Sequence, residues 1–139
     1  MDLRMATIRD VDTLAELNHQ LIADEGSDNS MSVPQLAERL TEWLEDRYRA
    51  VLFEEDGAPV AYALFRDDGP SIYLRQFFVA REHRAAGVGR AAMDKLLIEV
   101  FPVGKRVVVE VLAANQRGLA FWHALGFTDY FHTLELRAA

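Results

Sequence analysis

A glycine-containing segment between an apolar run and a helical pattern constrains this chain more than any other feature. The run Phe77-Phe78-Val79 is followed, after a short polar stretch, by Arg84-Ala-Ala-Gly-Val-Gly89, and helical spacing begins there. The two glycines carry no Cβ, so a ligand can approach the backbone closely. A helix starting here directs free N–H groups and the positive end of its dipole at an anion, with Arg84 and Arg90 adding charge. The segment therefore predicts a strand, an anion-binding loop and a helix in succession.

The composition suits one folded domain without thiol chemistry. The chain has 139 residues, 50% of them apolar, and residues 1–139 are expected to form a single core. The absence of cysteine excludes disulfides, thiolate metal sites and a cysteine nucleophile. The four histidines show no metal-ligand spacing, and no serine stands in a G-x-S-x-G turn. We therefore expect neither a metal site nor a serine hydrolase.

Hydropathy and charge limit the partners. No charged-then-apolar leader pattern opens the chain, and no apolar run approaches the roughly 18 residues of a membrane span. The expectation is a soluble cytoplasmic protein. The net charge of −7 disfavours nucleic acid and anionic membranes as partners and allows a cationic substrate, although ordinary solubility explains the charge equally well.

The first half of the chain predicts two helices between β segments. Apolar residues follow helical spacing in two stretches, and an Asp-Gly pair between two β-rich runs is a strong hairpin signal. The predicted elements are a strand at 5–9, a helix capped by Asp10 that ends near Gly26, a helix from Ser32-Val-Pro34 to about Arg47, and strands at 49–54 and 59–66 joined through Asp56-Gly57.

The second half predicts strands alternating with helices. The predicted elements are a strand at 71–79, a helix at about 88–100, a β-branched strand at 107–111, a helix at about 116–125 and a last strand ending near Arg137. Helices leading into an antiparallel meander, followed by a strand-helix-strand crossover, give a mixed sheet covered on both faces. The expected fold class is a three-layer α/β or α+β domain.

The glycine segment has two other interpretations. Gly87-Val-Gly89-Arg-Ala-Ala92 fits the dinucleotide pattern G-x-G-x-x-A, and Glu110 ends a strand about twenty residues later, where a ribose-binding acid is expected. In that fold the glycines follow the strand directly, whereas seven residues separate Val79 from Gly87 here. The P-loop form G-x-x-x-x-G-K-[ST] is absent. A tight turn onto a helix, without any ligand, also explains the glycines.

Two blocks together resemble the GNAT superfamily of N-acetyltransferases. Arg84, Gly87 and Gly89 fill the fixed positions of its acetyl-CoA motif Q/R-x-x-G-x-G/A. A second block, Asn115-Gln-Arg-Gly-Leu-Ala-Phe121-Trp122 with Gly126-Phe127 after it, is similar to the family's asparagine, aromatic pair and Gly-Phe. The order and spacing of both blocks match, and the likeness extends over nearly the whole chain. The resemblance implies a three-layer α/β/α fold whose mixed, mostly antiparallel sheet is splayed between the fourth and fifth strands.

The resemblance also implies acetyl-CoA as the cosubstrate. In this geometry strand 71–79 bulges and leaves backbone groups for the pantetheine arm, amides of the glycine segment receive the pyrophosphate, and the Asn115 helix borders the arm. The implied contacts are Phe78, Val79, Arg84, Ala85, Ala86, Gly87, Val88, Gly89, Arg90, Asn115, Phe121 and Trp122.

Candidate catalytic residues are less specific. Amine acetylation benefits from a base, and Glu110, on the strand beside the implied splay, is the first candidate, acting directly or through water. An ordinary strand-end carboxylate has the same pattern. Many family members carry a tyrosine as general acid where this chain has Trp122, and indole cannot serve; Tyr130 is a substitute candidate, or simply a packed aromatic.

The sequence says least about which residues bind the acceptor amine. Glu25, in the segment joining the first two helices, can recognise a cationic amine, and Arg75 can face the acceptor; a solvated loop and an exposed strand explain them equally well. The resemblance implies direct acetyl transfer to a primary amine, preferably of a small molecule. A non-catalytic acyl-CoA sensor and a protein N-terminal or lysine acetyltransferase are alternatives. Family members often dimerise, so the resemblance allows a homodimer.

Overall fold

The computed structural model describes residues 1–84 and 86–139. Their elements are strand β1 (Asp2–Met5), helices α1 (Val11–Glu25) and α2 (Val33–Glu45), strands β2 (Tyr48–Glu55), β3 (Ala58–Asp67) and β4 (Ser71–Val79), helix α3 (Val88–Lys95), strand β5 (Arg106–Val108) and helix α4 (Gln116–Ala124). Short 3-10 turns precede α1 and follow β4, and α3 continues as a π-helical turn over Leu96–Val100. None of the helices in these two ranges is long and apolar enough to cross a bilayer.

The five strands form one mixed sheet in the order β1-β2-β3-β4-β5. The pairs from β1 to β4 are antiparallel, and β4 with β5 is parallel. The parallel ladder runs only from Ser71 opposite Arg106 to Tyr73 opposite Val108. Beyond that point the two strands separate, which opens a gap along the second half of β4.

Helices cover both faces of the sheet. On one face α1 and α2 bury a cluster centred on Leu14, Leu40 and Tyr62. On the other face α3 and α4 pack over a cluster that includes Phe53, Phe65 and Met93. The predicted three-layer fold with a sheet splayed between its fourth and fifth strands is confirmed.

A β-bulge in β4 changes which side chains face which layer. Leu64 of β3 lies opposite Gln76, but the next residue, Phe65, lies opposite Leu74, so Arg75 is the extra residue. Leu74 and Phe77 consequently both pack in the α3/α4 layer although they are three residues apart. Arg75 and Gln76 are both turned toward the α1/α2 side of the sheet, where each bonds a tyrosine hydroxyl.

Several predicted boundaries are confirmed by local geometry. Gly26 ends α1 in the left-handed region, with φ 69°. Ser32 and Gln35 form a reciprocal capping box at the start of α2. Asp56 and Gly57 both have positive φ, of 51° and 78°, as the tight hairpin turn requires.

Other boundaries are wrong. The first strand covers Asp2–Met5, not 5–9. Asp10 makes no side-chain cap to α1; its carboxylate accepts from the Thr7 amide at 2.8 Å and pairs with Arg4, because a 3-10 turn capped by Thr7 comes first.

In the second half of the chain, two strands also differ from the prediction. β5 stops at Val108, before the predicted end at 111, since the splay leaves the following residues without a ladder. The last strand predicted before Arg137 does not form: residues 127–139 contain neither helix nor strand, and residues 128–139 are exposed. A three-residue edge strand offers little backbone with which a further strand could pair.

Candidate active site

A cleft of about 570 Å³ occupies the gap where β4 and β5 separate. Five parts of the chain enclose it: the end of α1, the second half of β4, the start of α3, the segment that follows β5, and helix α4. Its lining comprises Leu21, Asp24, Glu25, Phe77, Phe78, Val79, Arg84, Gly87, Val88, Gly89, Arg90, Glu110, Val111, Asn115, Arg117, Gly118, Phe121, Trp122, Ala124 and Leu125. Of the residues that the sequence associates with the cosubstrate, Ala86 is exposed and absent from this lining, and Ala85 lies outside the described residues.

The backbone of β4 presents polar groups to the cleft. The Ala80 amide donates to the Val60 carbonyl at 2.9 Å, so residues 78 and 80 bond toward β3. Since backbone groups alternate along an antiparallel strand, the N–H and C=O of Phe77 and Val79 point the other way, into the gap. The bulge lies at Arg75, upstream of this position. The parting of the strands, not the bulge, exposes these groups; they belong to Phe77 and Val79, and Phe78 also lines the cleft.

The two glycines of the opening segment have different roles. Gly87, with φ 77°, is the left-handed residue from which α3 begins, and a Cβ there would meet nothing within 4 Å. A Cβ on Gly89 would lie 2.8 Å from the Phe121 ring. Gly87 therefore sets the turn, whereas Gly89 lets α3 and α4 approach each other; access for a ligand is not the main reason for the second glycine.

The two arginines beside this loop are engaged by the protein. Arg84 donates through Nε to the Val79 carbonyl at 2.9 Å and through Nη2 to Asp24. Arg81 donates to the same carboxylate at 2.8 Å. Burial raises the pKa of Asp24, but the hydrogen bonds from Arg84 and Arg81 outweigh it and hold that pKa below its usual value. These ion pairs fasten the loop to the last turn of α1.

On the other side of the loop, Arg90 Nη2 donates to the Ala124 carbonyl at the end of α4, at 2.9 Å. Both predicted arginines therefore organise the loop through protein contacts. Arg117, which the sequence reasoning missed, also lines the cleft and is exposed.

Helix α4 closes the cleft with an asparagine cap and an aromatic cluster. The Asn115 Oδ1 accepts from the Gly118 amide at 3.0 Å, and a Cβ on Gly118 would lie 2.5 Å from Asn115 Nδ2. The unusual helix-interior glycine therefore makes room for the cap. Trp122 packs edge-to-face on Phe77 and Phe121, with ring centres 5.6 and 5.0 Å apart. The indole forms part of a packed wall.

Glu110 is an exposed residue of the cleft lining, and a tyrosine holds its carboxylate. The Tyr73 hydroxyl donates to Glu110 Oε1 at 2.5 Å. Burial, and then the hydrogen bond to Glu110, raises the pKa of Tyr73 to about 12, so the phenol remains a donor at neutral pH. Sequence reasoning missed Tyr73; the available signal was the parallel register, which puts Tyr73 beside Val108 and hence near Glu110.

A second, more polar pocket of about 490 Å³ begins at the same carboxylate. Its lining is Arg66, Asp68, Ser71, Tyr73, Arg75, Arg106, Val108, Glu110 and Tyr130. Glu110 borders both cavities. Tyr130 is 71% exposed and is not part of the cleft lining, and Arg75 likewise lies in the second pocket.

Glu25 lies apart from the second pocket. It lines the cleft from the end of α1, and burial raises the pKa of its carboxyl group. The four candidate catalytic and acceptor residues are thus divided between two adjoining cavities that meet at Glu110. Within the described ranges, no cluster of three or more histidine or acidic side chains could hold a metal ion.

A splayed mixed sheet with backbone groups and a helix N-terminus in the gap is the arrangement of an acyl-CoA-dependent transferase. The model of the acetyltransferase (GNAT) family matches residues 16–127. The chain belongs to this family. It is an acetyltransferase, and acetyl-CoA is its acyl donor.

Individual relatives agree with the family match. The chain is 30% identical over 138 residues to the L-amino acid N-acyltransferase MnaT of Escherichia coli, covering 91% of this chain and 79% of the relative. It is 28% identical to the L-methionine sulfoximine/L-methionine sulfone acetyltransferase of Salmonella typhimurium, covering 92% and 80%. A predicted acetyltransferase from Clostridium acetobutylicum, solved with acetyl-CoA, superimposes with a TM-score of 0.75 at 19% identity over 98% and 95% of the two chains.

Proposed function

We propose that the protein transfers the acetyl group of acetyl-CoA directly to the primary amine of a small molecule. The observation that carries the proposal is the position of Glu110, whose carboxylate borders both the cleft and the second pocket. A base at that junction can contact an amine entering from the pocket while the thioester lies in the cleft. The printed names of the two curated relatives, which concern an amino acid and amino acid derivatives, support a small acceptor.

The described residues fit the donor. Acetyl-CoA supplies an activated thioester, an amide-containing pantetheine arm and a pyrophosphate. The outward-facing N–H and C=O of Phe77 suit the amides of the arm, as a neighbouring strand would, whereas the Val79 carbonyl already accepts from Arg84 Nε. The turn at Gly87 and the N-terminus of α3 suit the pyrophosphate, and Arg117 adds an exposed positive charge at the cleft. The aromatic wall formed by Phe121 and Trp122 excludes water from one side.

The role we assign to Glu110 is to remove a proton from the acceptor amine. An alkylamine with a pKa near 10.4 is neutral in only about one molecule per 10³ at pH 7, and only the neutral amine is a nucleophile. Glu110 accepts this proton, directly or through a water, as the amine nitrogen attacks the acetyl carbonyl carbon. The Tyr73 hydroxyl fixes the carboxylate by its 2.5 Å hydrogen bond and leaves the second carboxylate oxygen for the amine.

The remaining charge develops on the carbonyl oxygen and then on sulfur. The amide of Val79, which faces the gap, is the donor we assign to the oxyanion. When the carbon–sulfur bond breaks, the thiolate of CoA takes up a proton. A thiol with a pKa near 8.5 is a good leaving group, so water can supply that proton and Trp122 need not. Because Tyr130 is outside the cleft lining, we assign it no part in this step.

Two measurements test the proposal. Calorimetry should detect CoA binding, and a panel of amines should release CoA from acetyl-CoA in proportion to the acetylated product. Because the chain has no cysteine, a thiol reagent reads the released CoA without a background from the protein. Binding of CoA without turnover of any amine would contradict the proposal and favour a sensor. Turnover only with protein N-termini or lysines would contradict the small-molecule acceptor.

A further inference from the structure

The second pocket carries a local excess of positive charge in an acidic protein. The chain has a net charge of −7, yet three arginines, Arg66, Arg75 and Arg106, line this pocket against two carboxylates, Asp68 and Glu110. Asp68 is taken by Arg66, whose Nε lies 2.8 Å from its Oδ1. Within residues 1–84 and 86–139, neither Arg75 nor Arg106 has a carboxylate within ion-pair distance.

Contacts with two aromatic side chains fix the position of the Arg75 guanidinium. Its Nη1 donates to the Tyr48 hydroxyl at 3.1 Å, and its guanidinium lies over the Trp43 ring, 4.5 Å from the ring centre. The bulge in β4 turns Arg75 to this side of the sheet. A positioned guanidinium loses little freedom on binding, and its planar fork suits a carboxylate.

Other groups around Arg75 add to its charge and do not neutralise it. Arg39 of α2 lies over the same Trp43 ring, 4.4 Å from its centre. Burial, and then the charge of Arg75, lowers the pKa of Arg39. Arg66 also donates to the Tyr48 hydroxyl, at 2.8 Å. Uncompensated like charges gathered around one wall cost free energy, and an incoming anion relieves that cost.

The geometry points to an acceptor that carries a carboxylate next to its amine, an α-amino acid, with its carboxylate bound by Arg75. The amine then faces Glu110 at the entrance to the cleft, and Arg106, stacked on Tyr130 at 4.4 Å, borders the open side. Arg75 and Glu110 line one pocket without pairing with each other, which leaves room for a zwitterion between them. This inference rests on the proposed function, and it names the acceptor class and a specificity-determining residue.

The test compares each amino acid with its amide, for example L-methionine, L-leucine and L-phenylalanine with their carboxamides. The amide keeps the side chain and carries the more easily deprotonated amine, so a preference for the acid reports carboxylate recognition. We expect wild-type kcat/KM to favour the acids at least about tenfold. Arg75→Gln should lower kcat/KM for the acids about 10- to 100-fold, mainly through KM, since the variant loses a charge-assisted hydrogen bond to the carboxylate.

The variants separate charge recognition from a loss of structure. Arg75→Gln should change kcat/KM for the amides, and the KM for acetyl-CoA, by less than about threefold. Arg75→Lys should restore part of the preference. Arg106→Gln should have a smaller effect than Arg75→Gln, about three- to tenfold. Arg49→Gln, on the opposite face of β2, should behave as wild type.

Each other outcome is decisive. Equal use of acids and amides by the wild type overturns the carboxylate inference while the proposed function stands. An Arg75→Gln variant whose kcat/KM falls equally for acids and for amides overturns the carboxylate inference in the same way. No turnover of any amine in the panel overturns the proposed function itself.

Discussion

The cleft and the second pocket meet at one carboxylate, yet they are built by different means. The cleft has walls of apolar side chains, but its polar groups come largely from the backbone: outward-facing groups of β4, a left-handed turn at Gly87 and the first amides of α3. The second pocket consists of side chains from β3, β4, β5 and the C-terminal segment. Backbone recognition suits a donor that does not vary, whereas side chains can be exchanged without changing the fold. Substitutions in the two cavities should therefore have different consequences.

The largest effect is expected at the shared residue. Glu110→Gln keeps the shape of the junction but cannot accept a proton, so kcat should fall about 10²- to 10⁴-fold while CoA affinity is retained. The deficit should shrink as pH rises, because more of the amine is already neutral. Steady-state kinetics between pH 6 and 10 measure this. Glu55→Gln, an exposed position on β2, is the matched control. A normal kcat would remove Glu110 from the mechanism.

The next effect belongs to the cleft. Gly89→Val adds a Cβ that would lie 2.8 Å from the Phe121 ring, with two methyl groups beyond it, and that ring is packed against Phe77 and Trp122. Overpacking of this kind costs about 1–3 kcal/mol, and CoA affinity should fall at least about tenfold as α3 and α4 move apart. Thermal unfolding and calorimetry measure the two effects.

A second change controls for this interpretation. Phe121→Leu in the Gly89→Val background should recover part of the stability, because the smaller side chain leaves space for the new methyl groups. If the double variant is as unstable as the sum of the two single changes, the two positions are not coupled and the close approach of α3 and α4 is not the cause.

A smaller effect is expected at Tyr73, which bonds Glu110 but does not itself line the cleft. Tyr73→Phe removes the hydroxyl that holds the carboxylate, so kcat should fall about tenfold while the KM for acetyl-CoA and the melting temperature stay close to wild type. Since the pKa of Tyr73 is about 12, the wild-type activity should show no titration from this phenol below about pH 10. A variant that loses CoA affinity instead would show that Tyr73 shapes the cleft.

The smallest effect concerns the tie between α1 and the loop. Asp24→Asn weakens the contacts to Arg81 and Arg84, for which about 0.2–1 kcal/mol of unfolding free energy is expected. The pKa of Asp24 is lowered in the folded protein, so its contribution is complete above the ordinary value of 3.8 and is lost as pH falls through the lower folded pKa. Denaturant unfolding at pH 7 and pH 3 should show the difference from wild type shrinking at the lower pH. A difference independent of pH would rule out the ion pair as its source.

Local signals in the sequence predicted the parts of the fold that depend on local chemistry. The hairpin at Asp56-Gly57 and the end of α1 at Gly26 depend on backbone conformations that few residues adopt. The splay followed from the family resemblance. The strand predicted before Arg137 failed, because alternation of apolar residues cannot say whether an edge is available for pairing.

The sequence predicted individual residues of the second pocket but not the pocket itself. Glu110 and Arg75 were identifiable as candidates, but their common pocket depends on the register of β4 with β5 and on the bulge. Tyr73 was missed because a tyrosine in a strand is ordinary, and only the splay brings its hydroxyl to Glu110. Contacts between residues far apart in the chain, such as Arg106 with Tyr130, have no signature in a single sequence.

The extra residue in β4 has a consequence for reading function across relatives. A gene that lost one codon between Leu74 and Phe77 could keep every hydrophobic contact of the sheet, yet only one polar side chain would then face the α1/α2 layer. An alignment would record a single gap. Transfer of acceptor annotation among such homologues should therefore match residues by the face they occupy, since counting positions from the glycine segment would pair Arg75 with a residue of different exposure.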